Sequence, residues 1–120
     1  MKALFDTNIL IDYLNNVKPA KAELARYSDK AISIVTWMEV MVGSDAHTEA
    51  GTRRFLSEFE IIPLNDVVAE RAVLLRKTHR LKLPDAVIWA SAQTQSMLLI
   101  TRNTKDFPIS DPGVRAPYKI

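Results

Sequence analysis

The chain has 120 residues with a formal net charge of +2, 48% of them hydrophobic and 25% charged. That supports one packed core and excludes a highly charged disordered chain. Cysteine is absent, which excludes disulfides, thiolate zinc sites and a cysteine nucleophile, and suits a reducing cytosol.

The N-terminal apolar run is broken by Asp6 and Asp12, which no secretory signal tolerates, and no run approaches the roughly 20 residues of a membrane span. The expectation is therefore a single domain, 1–120, in the cytoplasm. Ala3-Leu4-Phe5 reads as a short buried strand ending at Asp6. Ile9, Leu10, Tyr13, Leu14 and Val17 then recur at helical spacing, so a helix starts near Thr7. Pro19 opens a second helical stretch with Ala20, Leu24 and Tyr27. The branched residues of 31–35 predict a second strand, followed by a short helix from Trp37 to Val42 stopped by Gly43. An amphipathic helix with Phe55, Leu56 and Phe59 leads to a brief strand over 61–64, which Pro63 places at a sheet edge or brings to its end. Asn65 caps a long helix to about Arg80, and Pro84 opens another that runs to Met97. A fourth strand spans 98–101, and the proline-bearing tail reads as irregular.

Alternating strands and helices imply a three-layer α/β/α sandwich with a mainly parallel sheet of four to five strands. Ligands bind such sheets at the carboxyl ends of the strands. This draws attention to Asp6, to Thr36 through Glu39, and to Thr101 through Asp106, which all follow strands directly.

Each acid there also has a structural explanation. Asp6 is a good helix cap. Glu39 is the only charge between Val35 and Ser44, in a polar stripe with Thr36 and Gly43. That stripe either faces water or, on so apolar a helix, is buried and needs a partner such as a metal ion. Asp85 stands at a helix start, where acids are favoured. Asn103 and Asp106 mimic a capping box, with Asn103 preferred as the site member. Arg71, Arg76, Lys77, Arg80 and Lys82 form either a solvated face or a phosphate-contacting strip. His47 and His79 read as surface residues, and Trp37 and Trp89 as core.

Four strings appear in order along the chain: Leu4-Phe5-Asp6-Thr7-Asn8, Thr36-Trp37-Met38-Glu39 with Gly43, Leu83-Pro84-Asp85-Ala86, and Leu99-Ile100-Thr101-Arg102-Asn103 with Asp106-Phe107. The ordered set resembles the PIN-domain ribonucleases, specifically the short VapC-type toxins of bacterial toxin–antitoxin pairs. The resemblance implies a metal-dependent endoribonuclease with Asp6, Glu39 and Asp85 as an acidic triad for Mg²⁺ or Mn²⁺. Asn103 completes the catalytic set where many relatives carry an aspartate. Thr7, Asn8, Thr36, Thr101, Arg102, Asp106, Arg76 and Arg80 become supporting or substrate-contacting residues. It further implies an RNA substrate, a cognate antitoxin protein, a homodimer and no membrane association.

Rival functions remain at this point. A receiver-type signalling module needs a phosphorylatable Asp after a middle strand, where this chain has Thr36 and Trp37. A phosphatase with Asp6 as nucleophile usually carries a second Asp two residues on, where Asn8 stands. A nuclease-like fold kept only for RNA binding is the third.

Overall fold

The computed structural model describes residues 2–119; Met1 and Ile120, the limits of the expected domain, lie outside the described residues. Five strands form one sheet in the order β3-β2-β1-β4-β5, with every pairing parallel. They are β1 (Ala3–Phe5), β2 (Lys30–Ser33), β3 (Glu60–Ile62), β4 (Leu98–Ile100) and β5 (Val114–Arg115). The helices are α1 (Thr7–Leu14), α2 (Lys18–Ala25), α3 (Ile34–Val42), α4 (Glu49–Leu56), α5 (Asp66–His79) and α6 (Leu83–Thr94).

Strand β1 shows how three residues serve two cores. Side chains alternate across a strand, so Leu4 joins the α5 and α6 layer with Leu75, Ile88 and Trp89. Ala3 and Phe5 join the opposite layer with Ile9, Leu24 and Leu56 from α1, α2 and α4. All three β1 residues are fully buried. Burial on both faces is why such strands read as unbroken apolar runs. Phe5 meets the edges of Tyr27 and Phe59, and Trp89 meets Phe107 at right angles.

Sheet order places a topological switch at β1. Successive strands run outward from it to β2 and β3, then the chain returns to add β4 and β5 on the other side. The crevice between the carboxyl ends of β1 and β4 is where such folds receive ligands.

The expected elements are present, with differences that have local causes. The second strand stops at Ser33, because the Ser33 hydroxyl accepts from the Val35 amide and caps α3 there. Ile34 and Val35 thus enter the helix despite their branched side chains, and α3 starts directly at the strand end. Phe59 packs in the core from beyond the end of α4 rather than from within it. Helix α6 ends at Thr94, with Ser96 in a left-handed conformation (φ 55°) turning the chain into β4. Strand β3 is an edge strand and stops at Ile62, just before Pro63. The tail is not wholly irregular: Val114 and Arg115 pair with Leu99 and Ile100 as β5. Among the described residues no helix is long and apolar enough to cross a membrane.

Replacing Ser33 by Ala removes the cap of α3 while leaving β2 intact. Urea denaturation is expected to show a loss of about 1 kcal/mol. A change below a few tenths would mean that α3 is held by its packing alone.

Candidate active site

Asp6 follows β1 and caps α1, and both carboxylate oxygens are engaged. Its Oδ1 accepts from the Thr7 amide at 2.8 Å. Its Oδ2 accepts from the Thr101 hydroxyl at 2.7 Å and from the Asn8 side-chain amide at 3.2 Å. Asp6 is only 4% exposed. The bland and functional readings therefore coexist: one oxygen serves the helix, the other joins the ends of β1 and β4.

Burial pushes the Asp6 carboxyl up to about 6, against the opposing pull of the Thr101 and Thr7 hydrogen bonds, with the charges of Asp85 and Glu39 adding to the rise. Asp85, half-buried in the first turn of α6, is also raised. The cause is again chiefly burial, then the charges of Asp106 and Glu39, with Lys82 opposing. Four acids from four separate segments thus act on one another at one rim of the sheet.

Glu39 is held there by the Thr7 hydroxyl, which donates to Oε1 at 2.6 Å and lies 3.0 Å from the Thr36 hydroxyl. Thr36 is buried, but Glu39 is exposed. Of the two readings of that stripe, facing water describes Glu39, as it does Met38 and Val42 on the same helix, while Thr36 is buried.

Asn103 and Asp106 are linked twice. The Asn103 side-chain amide donates to Asp106 Oδ2 at 3.0 Å, and its Oδ1 accepts from the Asp106 backbone at 3.2 Å. The segment that follows is a turn rather than a helix. Asn103 orients Asp106, and it is Asp106 whose charge reaches Asp85. Of the two, Asp106 carries the charge and Asn103 sets its direction. A carboxylate in a turn of mixed polarity gave no periodic signal to mark it.

Two arginines expected to meet substrate are already committed. Arg102 turns inward and forks onto Asp12 at 2.8 and 3.1 Å, because a buried carboxylate needs a partner. Arg76 donates to the Leu81 carbonyl and braces the corner between α5 and α6. Arg80, in a left-handed conformation at that corner, and Lys82 beside it are exposed. His79 is exposed as expected, with its ring 4.9 Å from that of the buried Trp89.

The charge balance separates two kinds of acid. Asp12 is paired with Arg102, and Glu23 with Arg115. Among the described residues, Asp6, Glu39, Asp85 and Asp106 have no such ion pair. All their donors are hard oxygens carrying surplus negative charge, which fits a divalent cation such as Mg²⁺. Among the described residues no three or more His, Cys, Asp or Glu side chains are grouped so as to hold a metal ion as they stand.

The PIN-domain family model matches residues 3–109. This chain belongs to the PIN-domain family. Ribonuclease VapC10 of Mycobacterium tuberculosis is 30% identical over 125 residues, covering 98% of this PIN domain and 93% of the relative. That places the chain among the VapC ribonucleases. A toxin–antitoxin complex from Klebsiella pneumoniae contains a chain 53% identical to it, with a TM-score of 0.94 over 98% of this chain and 99% of that one. VapBC2 from Rickettsia felis, bound to a promoter DNA fragment, shares the fold at 23% identity and a TM-score of 0.79, covering 95% and 96% of the two chains.

The raised Asp6 pKa fixes the sign of a stability effect in the metal-free PIN domain. Between about pH 4 and 6 the unfolded chain has lost the proton that the folded chain still holds, so this group's contribution to stability falls as pH rises through that window. Between about pH 4 and pH 7 the stability of Asp6→Asn relative to the unaltered metal-free protein is expected to rise by on the order of 1 kcal/mol, because only the unaltered chain carries this titrating group. Paired urea titrations across that range, with chelator present, measure it.

Proposed function

We propose that this chain is a metal-dependent endoribonuclease acting on RNA phosphodiester bonds, the toxin of a toxin–antitoxin pair working in the cytoplasm as one domain. The observation that carries this reading is the cluster of Asp6, Glu39, Asp85 and Asp106, in which the buried Asp6 has hydrogen-bond donors but no ion pair. Family membership supports the nuclease class. The relatives crystallised as toxin–antitoxin complexes support an antitoxin partner.

Asp6, Glu39 and Asp85 would hold Mg²⁺ or Mn²⁺, with Asp106 completing the acidic rim in the orientation that Asn103 imposes. When bound, a divalent ion supplies positive charge that polarises the scissile phosphate and lowers the pKa of a coordinated water. Thr101 and Asn8 orient the metal-facing carboxylate of Asp6. Thr7, backed by Thr36, fixes Glu39 on the opposite side. Arg80 and Lys82 meet the RNA backbone next to Asp85, separating the bases that hold phosphate from the acids that hold the ion. A homodimer is part of this reading and rests on the family likeness.

An Asp6-nucleophile phosphatase would want a second carboxylate two residues on, and Asn8 stands there, donating to Asp6 instead.

RNA cleavage assayed with Mg²⁺ or Mn²⁺ is expected to cease with chelator and to return on adding either ion. Asp6→Asn and Asp85→Asn are expected to lower the rate at least about 100-fold, a loss of roughly 3 kcal/mol of transition-state stabilisation. Both variants should retain native circular dichroism. Undiminished cleavage by the double variant would refute the proposed chemistry.

A further inference from the structure

Asp12 is 5% exposed and lies outside the acidic rim, yet it collects three donors. Arg102 gives two through its guanidinium, and the Tyr118 hydroxyl gives a third at 2.9 Å. These groups come from α1, from the residue two beyond the end of β4, and from the segment after β5. Burial and the hydrogen bond to Asp12 hold the Tyr118 phenol well above its ordinary pKa, so it stays a donor.

Position makes this clamp more than a fastening for the tail. Arg102 stands between Thr101, which donates to Asp6, and Asn103, which holds Asp106. Its own amide donates to Asn8 Oδ1 at 3.3 Å, and Asn8 in turn donates to Asp6. The Asn103 amide donates to the Thr101 hydroxyl at 3.0 Å, orienting the proton of Thr101 toward Asp6. Asp12, Arg102 and Tyr118 therefore touch none of the four acids but hold the backbone that aims two of them. A buried ion pair is a poor source of stability, because desolvation offsets most of the attraction. Fixing a geometry is the better account of its presence.

We propose that the Tyr118–Asp12–Arg102 clamp is a positioning device: it locks the connection after β4 over Asp6, so that the metal-binding competence of the rim depends on the tail of the chain. This rests on the reading of the acids as a metal site. Arg102→Lys keeps the charge and loses the two-pronged geometry. Tyr118→Phe removes one hydroxyl. Asp12→Leu/Arg102→Met removes both charges together and avoids leaving one of them buried alone.

Calorimetric titration of the metal-free protein with Mn²⁺ is expected to show about 10-fold weaker binding for Arg102→Lys and for the double variant. Tyr118→Phe should weaken binding in the same direction, with the melting temperature little changed. Hydrogen exchange at the amides of Arg102, Asn103 and Asp106 should accelerate about 10-fold in the same variants, reporting local opening. Lowered melting temperature with unchanged Mn²⁺ affinity and unchanged exchange would reduce the clamp to a stabilising contact and overturn the proposal. If even the unaltered protein binds no Mn²⁺, the metal-site reading falls, and the exchange rates alone decide the clamp. Should the double variant fail to fold, Arg102→Lys and Tyr118→Phe carry the same decision.

Discussion

A buried carboxylate without an ion-pair partner organises this molecule. Asp6 sits at the end of the central strand, satisfied by three neutral donors and faced by other acids instead of a base. Protein interiors disfavour that arrangement, since an isolated buried charge costs several kcal/mol or takes up a proton. Among the described residues the chain meets the cost at one place only. Its other buried acids, Asp12 and Glu23, each have an arginine forked onto them. The contrast between paired and unpaired acids separates scaffold from site more sharply than burial alone, because all three side chains are almost equally hidden.

The scaffold explains how the unpaired set is assembled. Parallel strands send all their carboxyl ends to one rim, so residues just beyond β1, β2 and β4 converge whatever their separation in sequence. Helix α6 adds Asp85 from its first turn, where the helix N-terminus favours negative charge. Hydroxyl and amide side chains at the same strand ends (Thr7, Asn8, Thr36 and Thr101) then set the directions of the acids without neutralising them.

Much of this is legible in the amino-acid sequence. The apolar strings around Leu4, Ile32 and Leu99 announced strands, the proline before Asp85 announced a helix start, and Asn65 announced its cap, each a local signal with a local cause. Asp6 and Glu39 stand out because they follow or interrupt apolar segments, whereas Asp85, at a helix start, joins them through the resemblance of the ordered strings. What stayed hidden was decided across long distances. Arg102 looked like a phosphate contact because nothing near it in sequence shows that Asp12 claims its guanidinium. Asp106 looked like half of a cap, and only the turn it occupies brings its charge toward Asp85. Strand β5, two residues long in a proline-bearing tail, has no pattern of its own and exists because Leu99 and Ile100 offer it an open edge.

The central position of β1 has a kinetic side. Its neighbours in the sheet are β2 and β4, and the contact from Thr101 to Asp6 spans 95 positions of chain. Loops that long close slowly, and parallel pairings give no reward until they do. During synthesis Asp6 is made well before Thr101, so the surroundings of that acid stay unfinished until β4 has emerged.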